Sequence, residues 1–177
     1  MDREPGGCLV SDPLVNRVYK HWLPVILWMG VISFMSTDVG SAEHTSRILE
    51  PVVHWIKPSA TPEEFDLVHL LVRKAAHLSE YAVLGLLTFR ALRLSQSPRS
   101  RRWPTWKVGL MALGIAACYA ATDEYHQSFV AGRTPAVTDV FIDTCGAAIA
   151  LSLICLKNIA MPVRDNKTSA APVSTQV

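Results

Sequence analysis

Four apolar stretches separated by polar ones set the pattern of this chain. The first runs from about Tyr19 to Met35, free of charge from Leu23 onward, with Trp22 placed as an interfacial anchor. The others cover about residues 75–94, 106–121 and 136–156. Each lies near the lower end of the about 17–25 residues that a helix needs to cross a bilayer. One such run alone would equally suit a buried helix of a soluble bundle. Four together predict an all-α membrane protein, a small bundle of four transmembrane helices over residues 19–160. A tail over 1–18 precedes it, and a polar tail over 161–177, with Pro162 and Pro172, is expected to be disordered.

The connection between the first two runs has a pattern of its own. Ile48, Leu49, Val52, Val53, Trp55 and Ile56 fall on one helical stripe, with Arg47, Glu50 and Lys57 elsewhere. This predicts a short amphipathic helix resting on the membrane surface; a loop packed over the bundle is the competing reading. Pro58 ends it. Thr61-Pro62-Glu63-Glu64 then reads as an N-cap, a first-turn proline and a capping-box glutamate. A helix unbroken from there to Leu94 would be about 50 Å long, so its first three turns should stand in the interface.

Composition agrees with the membrane reading. Half of the 177 residues are hydrophobic and the mean hydropathy is +0.23, more than a soluble domain of this size needs. The net charge of +2 says little, but its distribution sets an orientation. Arg93, Arg99, Arg101, Arg102 and Lys107 sit between the second and third runs with no acid among them, which places that connection in the cytoplasm. Four spans then put both termini there, beside Arg17 and Lys20. The connection from Thr37 to Lys74 carries four Lys/Arg against six Asp/Glu and falls outside. Val39-Gly40-Ser41-Ala42 imitates a signal-peptidase site, but the twenty-one residues ahead of the apolar run are long for a leader and hold as many acids as bases. An uncleaved signal-anchor helix is expected.

Several classes of function find no support. There is no P-loop, dinucleotide fingerprint, internal repeat or C-x-x-C pair. Cys118, Cys145 and Cys155 fall within the apolar runs, and Cys8 has no apolar segment before it to make it an acylation site. The basic cluster near Trp103 and Trp106 is explained by topology, so no nucleic-acid partner is expected.

The chemistry gathers at one end of the bundle. Asp123-Glu124-Tyr125-His126-Gln127 opens a polar run that continues through Arg133 to Asp139 and Asp143. Ionisable groups at a membrane edge are costly, so their accumulation marks a site. On the second run His77, Glu80 and Tyr81 stand at i, i+3 and i+4, hence on one face, and Asp139 and Asp143 are likewise one turn apart. All three segments should converge at the outer face. An arginine fork at 133 can bind carboxylate or phosphate in two places at once. His77, His126, Asp123 and Glu124 suit acid–base work or a divalent metal, although neither H-x-x-x-H nor H-E-x-x-H spacing occurs and no metal is expected. The bland alternative is that these groups satisfy one another.

The segments Arg73-Lys74-Ala75-Ala76-His77-Leu78-Ser79-Glu80-Tyr81 and Asp123-Glu124-Tyr125-His126-Gln127-Ser128-Phe129, with Gly132-Arg133, Asp139 and Gly146, resemble the VanZ-like membrane proteins, a family named for a teicoplanin-resistance protein. The resemblance runs from about Trp22 to Leu156. Asp143 stands where the family usually has Asn, and Ala131 where Pro commonly precedes Gly-Arg. It implies a small helical protein of the inner membrane linked to envelope or glycopeptide phenotypes, and supplies no reaction.

Two functional classes follow. In the first, the chain binds or moves an amphipathic, lipid-linked envelope molecule, with Arg133, Asp123, Gln127, Glu80, Tyr81, Asp139 and Asp143 lining the site. In the second, it is a membrane-embedded hydrolase or group transferase, with Glu124, His126 or His77 moving protons. Ser79 and Ser128 are the nearby nucleophiles, and neither lies in a recognisable elbow. The binding class is therefore placed first. Membrane lipids are the expected partners.

Overall fold

The computed structural model of the protein describes residues 13–37, 42–96, 103–130 and 136–160, which form five α-helices; no strand occurs among the described residues. They are α1 (Pro13–Met35), α2 (Ala42–Ile56), α3 (Pro62–Ser95), α4 (Thr105–Gln127) and α5 (Val137–Ala160). The fold is all-α, as expected. The tails over 1–12 and 161–177, and residues 38–41, 97–102 and 131–135 with Arg133, lie outside the described residues.

Three boundaries differ from the expected ones. Helix α1 starts at Pro13, six residues early, because a proline is preorganised for the first helical turn and loses no hydrogen bond there. Helix α5 continues to Ala160, one turn past its apolar run. Most consequential, α4 does not stop at Ala121 but carries on through Gln127. Nothing in Asp123–Gln127 breaks a helix, so polarity there marks a lining face and not a loop.

Helix α3 packs against all four other helices, and α5 against α3 and α4. Its start is fixed as expected: the Thr61 hydroxyl accepts from the Glu64 amide at 3.3 Å and the Glu64 carboxylate accepts from the Thr61 amide at 3.1 Å. A cap of this kind contributes about 1 kcal/mol. A hydrogen bond from Lys57, followed by the Thr61 amide, holds the Glu64 carboxyl below its ordinary range. The contribution of this corner is therefore present at neutral pH and lost as the pH falls through that lowered value. The helix then runs 34 residues unbroken, about 50 Å.

The amphipathic helix is present as α2. Leu49 and Val53 are half-buried, whereas Ile48, Val52, Trp55 and Ile56 point away from the protein. Its apolar stripe is thus only partly used by α3.

Small residues stand at helix contacts beside larger buried ones such as Tyr81 and Leu84: Ala112, Ala116 and Ala120 recur every fourth residue along α4, and Gly85 and Gly146 meet the neighbouring helix closely. A Cβ on Gly85 would lie 3.2 Å from that of Ala147, and one on Gly146 would press into the Leu78 carbonyl. Large apolar side chains such as Leu23, Ile26, Leu27, Leu110, Phe141, Ile149 and Leu153 face outward.

Among the described residues one helix, α5 over Val137–Lys157, is long and apolar enough to cross a membrane. The other three expected spans do not meet that measure. The uncharged run of α1 is brief, the expected span in α3 carries Glu80, Arg90 and Arg93, and the uncharged run of α4 stops before Asp123.

Candidate functional site

The end of α4 continues the stripe that buries Ala112, Ala116 and Ala120. One further turn along that stripe come Asp123, Glu124 and Gln127, all buried. Beside them, the last turn of α1 presents Ser36. The Ser36 hydroxyl donates to Asp123 Oδ2 at 2.6 Å, and the Gln127 amide donates to the same oxygen at 2.9 Å and to Ser36 Oγ at 3.3 Å. Two donors on one carboxylate oxygen tie α1 to α4 here. Just below, the Tyr119 hydroxyl donates to the Met29 carbonyl at 2.6 Å and lies 2.8 Å from Ser33 Oγ.

The opposite wall comes from α3 and α5. Their close approach at Leu78 and Gly146 brings His77 and Asp143 together, with His77 Nδ1 3.3 Å from Asp143 Oδ1. That is ion-pair range when the imidazole is protonated, and neither atom has a further hydrogen-bond partner among the described residues. One turn toward the start of each helix, the Lys74 ammonium donates to Asp139. Glu124 accepts from the Ala136 amide, which precedes the first turn of α5; a carboxylate at a helix N-terminus is favoured by the exposed amides and the helix dipole.

Tyr81 lies at the centre. It is fully buried, its hydroxyl has no hydrogen-bond partner among the described residues, and it interacts electrostatically with Asp123 and Asp143. Asp143 in turn interacts with Asp123 and Asp139, and Glu124 with Asp139, Asp143 and His77. Four helices therefore contribute to one polar cluster. Among the described residues two of its buried atoms have no partner: Tyr81 OH and Asp123 Oδ1. Leaving such a group unpaired costs about 1–3 kcal/mol each.

Of the residues expected from the sequence, His77, Tyr81, Asp123, Glu124, Gln127, Asp139 and Asp143 are buried together. Glu80 is half-buried one turn from His77, with which it interacts electrostatically; its backbone carbonyl accepts from the Trp28 indole at 2.9 Å. His126 is exposed and stands outside the cluster, since its position on α4 is turned away from Asp123 and Gln127. Arg133 lies outside the described residues. Sequence reasoning overlooked Ser36, whose signal is its place as the first polar residue after the uncharged helix core. It also left Lys74 without a role, though the residue sits in the His77 motif.

His77 and Asp143 form the base-and-orienter half of a catalytic set, but the nearby hydroxyls do not complete it. Ser79 donates to the carbonyls of Ala75 and Ala76, both at 2.8 Å, and Ser128 donates to that of Tyr125 at 2.6 Å. Both are exposed. Among the described residues no group of three or more His, Cys, Asp and Glu side chains has metal-holding geometry.

No curated protein and no solved structure matches the chain. A family model described as VanZ/LLP1 matches residues 21–158, nearly the interval over which the resemblance runs and most of the chain. The buried residues of the cluster and the glycine that seats α5 on α3 all fall within that interval, and the chain belongs to the VanZ/LLP1 family.

Proposed function

We propose that this VanZ/LLP1 protein is a four-span protein of the inner membrane, both termini cytoplasmic, whose polar cluster binds the polar group of an amphipathic envelope molecule at the outer face. The observation that carries the proposal is a pair of buried atoms without a partner among the described residues, Tyr81 OH and Asp123 Oδ1, held where four helices meet. Polar groups in a membrane pair with one another or mark ligand and ion paths, and the two atoms left without a partner favour the second. The outward-facing large apolar side chains and the small residues at helix contacts support the membrane part of the reading, since bilayer bundles pack through small residues and present large apolar ones to lipid.

The unused stripe of α2, with Trp55 84% exposed, fits a helix resting in the outer headgroup layer. Arg133 would supply the anion-binding fork, and the family's name suggests a link to glycopeptide resistance. An enzyme acting on the same molecule is the second reading. The His77–Asp143 pair favours it, and the absence of a positioned nucleophile among Ser79 and Ser128 sets it behind binding.

The orientation is tested by reporter fusions to the full chain. Fusions after Gln96 and after Lys167 should score cytoplasmic, and one near Ser59 external, as the Arg93–Lys107 charge excess requires. An external score after Gln96 would put the cluster on the wrong side and overturn the proposal.

A further inference from the structure

The charges of the cluster do not balance. Asp139 has the Lys74 ammonium, and Asp143 has the His77 imidazole at 3.3 Å. Asp123 and Glu124 have no cation paired with them among the described residues. Ser36 and Gln127 donate to Asp123, and the Ala136 amide donates to Glu124, and all three donors are neutral. Both acids are nonetheless buried, at 3% and 8% exposure. Glu80 and Arg73 act on His77 from the edge. With these two included, the acids outnumber the bases whether or not His77 carries a proton. A desolvated carboxylate held by neutral donors alone is costly unless a positive charge joins it.

Two further observations point to a ligand that supplies that charge. Tyr81 OH and Asp123 Oδ1 are both buried and without a partner, so acceptor positions remain free inside the cluster. Beside Glu124, α4 and α5 part around a cleft of about 520 Å³, walled by Ala121, Tyr125, Val137 and Val140, with Glu124 in its lining. The Ser128 hydroxyl at its rim is taken by the Tyr125 carbonyl, which leaves Glu124 as the charged group of the cleft. Two other apolar clefts of the bundle, one along Met111 and Cys118 and one along Gly109 and Cys155, contain no charged side chain. The cleft at Glu124 is thus apolar walls leading to a buried acid, and that acid interacts electrostatically with Asp139 and Asp143 behind it.

We infer that the polar group this cluster takes is a primary ammonium on an apolar body, the body filling the α4–α5 cleft and Glu124 serving as counter-ion, with the negative charge of Asp123 and Asp143 behind it. An ammonium brings three donors of its own and asks only for acceptors. A metal ion needs a fuller shell, and no group of three or more His, Cys, Asp and Glu among the described residues has the geometry for one. The inference rests on the cluster being a ligand site and adds the sign of the ligand's charge.

The full chain in an uncharged detergent at neutral pH is titrated with hexylammonium, hexanol and hexyl phosphate, which share one apolar body, and thermal unfolding is read. Hexylammonium should raise the midpoint saturably, and the other two should not. Glu124→Gln keeps an oxygen for the Ala136 amide but loses the charge, so the apparent affinity for hexylammonium should fall about tenfold or more, as expected for a charge-assisted hydrogen bond. Asp66→Asn removes the same charge from an exposed position three turns before His77 and should titrate as wild type. If Glu124→Gln does not fold, Val137→Trp, which fills the cleft from an exposed position, should give the same loss. Doping the micelles with phosphatidylethanolamine or phosphatidylglycerol identifies the source: a response abolished by the first alone assigns the ammonium to a lipid headgroup, and one that survives both assigns it to another amphipathic amine. Equal stabilisation by hexanol, no response of wild type, or unchanged affinity in folded Glu124→Gln and Val137→Trp would overturn the inference. Stabilisation by hexyl phosphate alone would overturn it too, while leaving the cluster a ligand site of the opposite sign.

Discussion

Gly146→Ala should destabilise the protein more than any other single methyl addition to the bundle. A Cβ at this position presses on the Leu78 carbonyl oxygen and stands 2.9 Å from its carbon and 3.0 Å from its Cα. These are backbone atoms of a helix, and they cannot rotate aside as a side chain would. Overpacking of a core costs about 1–3 kcal/mol when side chains can adjust, so the loss here should reach or exceed the upper end of that range. The local consequence follows from position. Leu78 adjoins His77, and Gly146 lies one turn after Asp143, so forcing α5 off α3 separates the pair whose atoms are 3.3 Å apart. Thermal unfolding of the detergent-purified chain measures the effect, with Gly114→Ala and Gly30→Ala as comparisons because a Cβ meets open space at both. If Gly146→Ala melts with those two, the α3–α5 contact has been misread.

Removal of the Asp123 carboxylate should have the next largest effect. Asp123 Oδ2 accepts from Ser36 at 2.6 Å and from Gln127 at 2.9 Å, and all three residues are buried. Hydrogen bonds to a charged group contribute about 1.5–3 kcal/mol each, and donors left buried and unpaired add their desolvation cost. Asp123→Ala breaks both bonds and should release the end of α1 from α4. Asp123→Asn retains an oxygen that can accept from Ser36 and Gln127, so it should fold with a smaller loss while changing what the free oxygen offers a ligand. Ser36→Ala removes one donor and should cost less than Asp123→Ala. A double-mutant cycle between positions 36 and 123, read by thermal unfolding, should give a coupling near the value of one charge-assisted bond. Strict additivity would show that the two side chains do not interact.

The legible parts of this molecule are those written in local spacing. Thr61-Pro62-Glu63-Glu64 announces the start of α3, and the capping bonds form as that motif demands. His77 with Tyr81, and Asp139 with Asp143, share faces because they are one helical turn apart, and all four are buried. The polarity of Asp123–Gln127 misled the placement of the end of α4, since a charged run reads as a connection. The every-fourth-residue alanines at 112, 116 and 120 carry the missing signal: the same face, continued, contains Asp123, Glu124 and Gln127 and excludes His126. Partner choice was beyond reach, because it is set by how helices cross. That His77 meets Asp143, and Lys74 meets Asp139, depends on the register in which Gly146 seats against Leu78, more than sixty residues away along the chain.

The central claim is that the cluster recognises a polar group of an envelope molecule, and the molecules that travel with the protein test it most directly. The full chain, expressed in membranes and purified in mild detergent, would be extracted and its lipids profiled without preselection beside two variants. Tyr81→Phe removes the unpartnered central hydroxyl without changing ring volume, and Arg133→Lys keeps the charge while losing the fork. The account predicts one amphipathic species enriched with wild type and depleted in both variants, with all three proteins accumulating in the membrane and melting alike. Identical lipid profiles from wild type and both well-folded variants would contradict it.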